Sequence, residues 1–326
     1  MILSEIASST GDPTDERSFN VIFRDDSGYL YAAGYLQPTW FYNSSLGYIT
    51  QDNFIQTDFQ LWPSTGYFVQ TNTTTEQIRL ARFNGTTSFN IFYATVTGSA
   101  KGCAVNGTYA YFWDWGGFRV YNYSGTLVNT VSSSIEPKTM FCFDGGSKLA
   151  VLGEISNVGA YFSIYSLSGT DITLIDTYTI DSSTSNYLYN NVGYIHLYDS
   201  TSFVFVVAVS GTNPIKEFYF DGSTISLKGE YPYTGSGVML SGKGSSGDTV
   251  FVSKSADYVG NGPYGLAMLD RLDYSVQSYE SLSTDPGVYT YGDGYCAISK
   301  WSTGSRIKLY RVLPTPGHEQ FQAVWR

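Results

Sequence analysis

An all-β chain of seven four-stranded antiparallel sheets is predicted by three observations. The composition suits pleated strands and tight turns, one unit of turn plus apolar strand recurs seven times, and each period has room for four strands. Of 326 residues, 17% are aromatic, led by 29 Tyr, only 14% are charged, and 34 Gly accompany abundant Ser, Thr and Asn. Aromatic and β-branched side chains fit a half-buried pleated surface, and Gly, Asn, Asp and Ser fit turns. The chain is also longer than a single compact core usually grows. A repeat that spreads burial over several small cores therefore accounts for both length and composition.

The recurring unit is read directly from the chain. Its instances are DSGYLYAAG (Asp26 to Gly34), STGYFVQT (Ser64 to Thr71), VNGTYAYFW (Val105 to Trp113), GGSKLAVLG (Gly145 to Gly153), DSTSFVFVVA (Asp199 to Ala208), SGDTVFVSK (Ser246 to Lys254) and GDGYCAISK (Gly292 to Lys300). With Tyr29, Tyr67, Tyr109, Leu149, Phe203, Val250 and Tyr295 as anchors, the spacings run from 38 to 54 residues. A further alternating strand follows each anchor strand, as in EQIRLARF, GGFRVYNY and IKEFYF. A turn such as FNG, YSG or FDG then leads to a more polar strand, as in TSFNIFYATV or TISLKGEY. A strand also precedes each anchor, as in SFNVIF, TMFCF and GYIHLY.

Four antiparallel strands per period of this length form a blade, and blades stack radially to bury their faces on one another. On these repeats the chain resembles the β-propeller superfamily, and the resemblance implies a seven-bladed β-propeller of four-stranded antiparallel blades. The expected blades are 18–60, 61–98, 99–137, 138–188, 189–235, 236–285 and 286–326. The last would complete itself with EQFQAVWR, leaving ring closure to packing between the first and seventh blades. Residues 1–17 are expected to form an arm or an extra edge strand. No subfamily signature is present. Trp113-Asp114 lacks the upstream Gly-His of the Trp-Asp repeats, Gly145-Gly146 is a single kelch-like diglycine, and SSGDTVF does not match the Asp-box turn of sialidases.

The formal net charge of −10, without any basic run, argues against a nucleic-acid partner, because phosphate binding needs clustered Lys and Arg. The longest apolar run, Phe203 to Val209, has the length of a buried strand rather than of a membrane span. The leading segment MILSEIASSTGDPTDER lacks the basic and apolar regions of a signal peptide. Cys103, Cys142 and Cys296 stand singly, which reads as buried free thiols.

In propellers the loops from second to third strands and the links between blades emerge on one face. On that reading one face gathers Trp40 and Tyr42 (QPTWFYNSS), Trp113, Asp114 and Trp115 (FWDWGG), Tyr258 and Tyr264, and Trp301, together with Trp62 (LWPS), Tyr187 and Tyr189 (NYLYNN), and Tyr231 and Tyr233 from the links. Flat aromatics beside Asn, Asp and Ser suit a protein-binding hot spot or a sugar platform, and they also suit packing between blades.

Asp114, Glu154, Asp257 and Asp285 are the acid and base candidates of that face, although solvated turn carboxylates look the same in sequence. A glycosidase needs two of them close together. With only His196 and His318, a histidine triad or a multi-histidine metal site is not expected. The innermost strands are not Asp-rich, so neither an axial calcium nor any other metal or cofactor is expected. Asn43, Asn72, Asn84, Asn106 and Asn122 each begin an Asn-x-Ser/Thr sequon, all within the first three blades.

The favoured reading is a non-enzymatic scaffold in a large assembly, most concretely a virion tail, spike or capsid-decoration protein located on a virion or extracellular surface. Surface-type β composition without a recognised export signal motivates it. The alternatives are a glycan-binding propeller and a carboxylate-dependent glycoside hydrolase or lyase.

Overall fold

A computed structural model describes residues 2–9, 21–33, 38–96, 98, 100–155, 158–181, 194–199, 203–208, 215–231, 238–243, 249–254, 264–270, 276–282, 288–292, 295–299 and 307–313. The first strand is β1 (Ile2–Ser8), followed by β2 (Val21–Arg24), β3 (Leu30–Ala33), β4 (Trp40–Tyr42) and β5 (Tyr48–Gln51). Next come β6 (Asp58–Trp62), β7 (Tyr67–Asn72), β8 (Gln77–Phe83), β9 (Ser88–Thr95), β10 (Lys101–Val105), β11 (Tyr109–Asp114), β12 (Gly117–Asn122) and β13 (Leu127–Ser132). The fourth and fifth groups are β14 (Glu136–Phe143), β15 (Lys148–Ile155), β16 (Gly159–Ser168), β17 (Asp171–Asp181), β18 (Tyr194–Asp199), β19 (Val204–Ala208), β20 (Ile215–Phe220) and β21 (Ile225–Tyr231). Last are β22 (Val238–Lys243), β23 (Thr249–Lys254), β24 (Tyr264–Asp270), β25 (Val276–Leu282), β26 (Val288–Gly292), β27 (Tyr295–Ser299) and β28 (Ile307–Leu313).

These strands form seven four-stranded antiparallel sheets, six of them simple meanders of consecutive strands from β2 through β25. The first strands of successive sheets lie side by side, β6 to β10, β10 to β14, β14 to β18, β18 to β22, and β22 to β26, and β26 returns to β2. The arrangement is a closed seven-bladed β-propeller.

The seventh sheet has the order β1-β28-β27-β26. Its outermost strand is therefore contributed by the start of the chain, with Ile2 opposite Leu313 and Ser8 opposite Lys308. This corrects two expectations. Ile2–Ser8 is an edge strand rather than an arm, but it is not an additional one: it takes the fourth position of this sheet, assigned in sequence to EQFQAVWR, which lies outside the described residues. Hydrogen bonds across the ring's seam join chemically distant segments, which closes the edge that a self-contained last blade would leave open. Ser9 extends the seam: its N–H donates to the Ile307 carbonyl at 2.7 Å, and its hydroxyl oxygen accepts the Ile307 N–H at 3.0 Å.

Two blade boundaries also move. Asp58–Trp62 is one strand that opens the second sheet, and Glu136–Phe143 opens the fourth, so the boundaries precede Asp58 and Glu136 instead of falling within these strands. Neither link has a Gly-rich turn to mark it, so apolar content alone misplaces the boundary.

Burial follows radius. The middle strands β7, β8 and β11 are buried along nearly their whole length because both faces of the sheet are covered, whereas the outer strands β9 and β13 are mostly exposed. The core is accordingly a series of clusters between neighbouring blades. Tyr31 and Phe41 of the first blade pack with Phe59, Phe68, Ala81 and Phe83 of the second. Val69, Ile78 and Leu80 meet Cys103, Val105 and Phe112 at the next interface. Further round, Phe118 and Val120 meet Met140, Val151 and Tyr165, and Phe162 and Ile164 meet Phe205 and Phe218.

Candidate functional site

Meander connectivity places the turns from second to third strands and the interblade links at the same end of every blade. Trp115 and Gly116 make the two-residue turn between β11 and β12, closed by the Asp114–Gly117 pair. Gly116 sits at φ +105°, a conformation that favours glycine. The turn projects the neighbouring indole into solvent, and Trp115 is 76% exposed. Its inner face lies on Gly98, in the link from the second to the third blade; a Cβ at Gly98 would stand 2.4 Å from Trp115 Cδ1. The indole is thus a flat platform supported by the neighbouring link.

Asp114, next in the chain, is only 3% exposed, and its Oδ1 accepts a 2.8 Å hydrogen bond from Arg119 Nε. Arg119 also donates to Thr130 Oγ1 at 2.9 Å, so the pair ties β11, β12 and β13 together. Glu154 is committed in the same way. Lys138 Nζ lies 2.7 Å from Glu154 and 3.1 Å from Glu136, and Glu136 also holds Lys101 of the third blade at 2.6 Å. Burial acts to raise the Glu136 carboxyl, but the hydrogen bonds from Lys101 and Lys138 hold it below the usual carboxylate range.

The remaining aromatic candidates separate by position. Trp40 and Tyr42 are not in a loop; they occupy β4, are fully buried, and pack with Leu30, Ala32 and Ile307 where the first blade meets the seventh. Their alternation with Phe41 hid a third strand of only three residues from the sequence reading. Trp113 belongs to β11 and to the core between the third and fourth blades, at 6% exposure. Trp62 ends β6 and therefore lies at the opposite end of the propeller from Trp115. There it packs on the turn of the third blade at Gly107, and on Gly146, whose added Cβ would be 3.3 Å from the indole. Tyr187, Tyr189, Tyr233, Tyr258, Trp301, Asp257, Asp285 and His318 lie outside the described residues, while Tyr231, Tyr264, His196 and Cys296 are placed by backbone on β21, β24, β18 and β27.

The five sequons have a common structural role. In each, the Asn Oδ1 accepts backbone N–H groups from residues two to four positions on: Ser45 and Gly47 for Asn43, Thr74 and Thr75 for Asn72, Thr86 and Thr87 for Asn84, Thr108 and Tyr109 for Asn106, Ser124 and Thr126 for Asn122. Asp221 does the same for Ser223 and Thr224. The pattern is therefore turn chemistry, in which a short polar side chain replaces a missing backbone acceptor. Asn106 goes further, donating from Nδ2 to the Tyr111 hydroxyl and to the Gly146 carbonyl, both at 2.9 Å.

Sequence reasoning missed a buried polar network between the first and second blades. Arg79 of β8 pairs with Asp52 at 3.1 Å, with the two side chains 6% and 2% exposed. Arg79 also donates to Gln70 Oε1 at 3.0 Å, and Gln70 Nε2 donates to Thr39 Oγ1 at 3.0 Å and to Gln56 Oε1. Burial pushes the Asp52 carboxyl up against the pull of the Arg79 guanidinium. Gln70 and Arg79 are opposed on β7 and β8 of one blade, but Thr39 and Asp52 reach them only when the first blade stacks on the second, so nothing local in sequence announces the network. Among the described residues no helix is long and apolar enough to cross a membrane, and no group of three or more His, Cys, Asp or Glu side chains is placed to hold a metal.

This architecture defines the class of protein: a seven-bladed β-propeller closed by its N-terminal strand. No protein-family model matches the chain, and no curated protein matches it. Among solved structures it is similar to the β-propeller domain of Cps50 (Swd1) from Myceliophteria thermophila, at 10% identity and a TM-score of 0.68, over 96% of this chain and all of that one. Hydrazine synthase of Kuenenia stuttgartiensis matches at 11% identity and 0.68, over 93% of this chain and 98% of that one. Raptor of Chaetomium thermophilum matches at 10% and 0.68, over 96% of this chain and 29% of that one. At these identities the likeness is one of fold, shared by an enzyme and by other propellers.

Proposed function

We propose that this propeller is a non-catalytic scaffold that binds another protein of a larger assembly, a virion tail, spike or capsid decoration being the most concrete form, through the face that carries Trp115. The observation that carries the reading is the supported, 76% exposed indole of Trp115. An aromatic ring held flat against Gly98 loses little freedom on binding and offers a large area to a partner, which is the character of an interface hot spot. The carboxylate candidates at that end of the blades support the same reading, because Asp114 and Glu154 are each engaged by a cation and neither stands free to act as an acid or a base.

The test is affinity capture of the tagged full chain from its native cells and from any particles they release, comparing wild type with Trp115→Ala. A defined protein partner retained by wild type and lost by the variant is expected. A wild-type chain that is monomeric, absent from particles and without a partner would overturn the proposal, as would capture that is indifferent to Trp115.

A further inference from the structure

We infer that the cleft between the first and second blades is a binding site for a neutral saccharide, a site separate from the Trp115 platform. The cleft has a volume of about 570 Å³, within the range of small-ligand pockets. It opens where the outer part of the second blade faces the link that leaves β5. Arg79 forms its floor, while Gln51 at the end of β5 and Asn53 and Phe54 of the link face Asn90 and Tyr93 of β9.

Three features select the ligand chemistry. First, the charge on the floor is internally balanced. Arg79 is paired with Asp52, and its guanidinium lies 5.6 Å from the ring centre of Phe54 and 5.8 Å from that of Phe68. A carboxylate, sulfate or phosphate would compete with a buried partner already in place, so the cleft favours an uncharged ligand.

Second, the walls carry polar groups with unspent capacity. The side-chain amides of Gln51, Asn53 and Asn90 are exposed and make no hydrogen bond among the described residues. Each offers a donor and an acceptor, which matches the dual character of a sugar hydroxyl. At the floor, Arg79 Nε is a buried donor without an acceptor. A buried donor left in this state carries a desolvation penalty, which marks the floor as an incompletely satisfied polar surface.

Third, the cleft has an aromatic platform. Tyr93 is 49% exposed and is braced edge-on by Phe54, with ring centroids 6.1 Å apart and planes at 82°. A half-exposed ring braced from the side presents its face to the C–H surface of a pyranose. An extended peptide laid along the outer edge of β9 is the competing occupant, and its capture through Tyr93 is an outcome of the test. The lining is mainly amides and hydroxyls, with two rings, Phe54 and Tyr93, and one aliphatic side chain, Ile55, and that polar excess favours the saccharide.

The experiment screens the full chain against an array of neutral, sialylated and sulfated glycans, followed by saturation-transfer NMR on the hits. It compares wild type with Tyr93→Ala, Tyr93→Phe, Asn90→Ala and Trp115→Ala. Neutral glycans are expected to bind, with affinity about tenfold weaker in Tyr93→Ala, also reduced in Asn90→Ala, and unchanged in Tyr93→Phe and Trp115→Ala. A silent array, binding confined to acidic glycans, capture of a protein rather than a glycan through Tyr93, or neutral binding unaffected by Tyr93→Ala would each overturn the inference. Loss of the protein partner in Trp115→Ala with glycan binding intact distinguishes this site from the proposed scaffold face.

Discussion

Asp58, at the start of β6, accepts the backbone N–H of Cys103 in β10 at 2.8 Å through Oδ2, and the Cys103 thiol lies 3.4 Å from the same oxygen. The contact joins the innermost strands of two neighbouring blades, and it holds the carboxyl in a half-buried position between them. Burial pushes the Asp58 carboxyl up to about 6, more than offsetting the hydrogen bonds from Cys103 and Phe59 that favour its charge.

The sign of the consequence follows from linkage. Between pH 4 and 6 the folded state holds a proton that the unfolded state has already lost, so the Asp58 contribution to stability falls as pH rises through that window, by about 3 kcal/mol. Asp58→Asn keeps an acceptor for Cys103 and removes the titration. Urea unfolding of both proteins at pH 4 and pH 7 is expected to show a stability difference that shifts in favour of the variant at the higher pH. A difference independent of pH would contradict the assignment.

The Asx turns differ in what surrounds them, and the cost of losing them should differ accordingly. Asn84→Ala removes an exposed acceptor and is expected to cost about 1 kcal/mol. Asn106→Ala also strands the Tyr111 hydroxyl and the Gly146 carbonyl inside the protein, and about 2–4 kcal/mol is expected. Denaturation midpoints of the two variants measured side by side decide the point; equal losses would mean that the Asn106 side chain acts only on its own turn.

The Asp52–Arg79 pair is expected to be costly to break and cheap to replace. Asp52→Ala or Arg79→Ala alone leaves one buried charge without its partner, at about 3–5 kcal/mol. Asp52→Leu combined with Arg79→Met should recover most of that loss. A double-mutant cycle by chemical denaturation measures the coupling, and additive single losses would show that the two charges act independently.

Gly98 and Trp115 should be coupled as well. Gly98→Ala introduces a Cβ at φ +98° and drives it into the indole, so a loss of about 2 kcal/mol is expected. In a Trp115→Ala background the collision is gone and only the backbone strain remains, so the same change should cost about half as much. Thermal melts of the four proteins give the coupling. An unchanged cost would mean that the indole does not rest on Gly98.

Deleting residues 1–9 uncovers the outer edge of β28. The expected result is a lower Tm and concentration-dependent association, because an unpaired strand edge templates pairing with another chain. A synthetic peptide spanning residues 2–9 added in trans should restore the Tm. A deletion that melts like the intact chain would show that ring closure rests on the packing of Trp40, Tyr42 and Ile307 alone.

The repeat was readable because each blade is built from local signals. The turn residues near Asp26, Ser64, Asn106 and Gly145, and the alternation that follows each anchor, need no knowledge of other blades. The candidate site was less readable. Trp113 and Trp115 are two residues apart in the same motif, yet one is in the core and the other is the most exposed large apolar residue described; a two-residue turn separates their environments. Trp40 and Tyr42 read as loop aromatics because β4 is too short to show a period. The polar cleft left no trace, since Asp52 and Arg79 belong to different blades and acquire their relationship only when those blades stack.

The sequence by itself determined the all-β class, the seven repeats and the outward gradient from apolar to polar strands, because period-two alternation and turn chemistry act over a few residues. Tertiary structure alone decided which strand closes the ring, which tryptophan faces solvent, and which charges are paired in the interior. Those outcomes depend on contacts between segments that are far apart in the chain. Ile2–Ser8 against Ile307–Leu313 is the longest-range case: both segments look like ordinary strands, and only the circular stacking of seven blades brings their edges together.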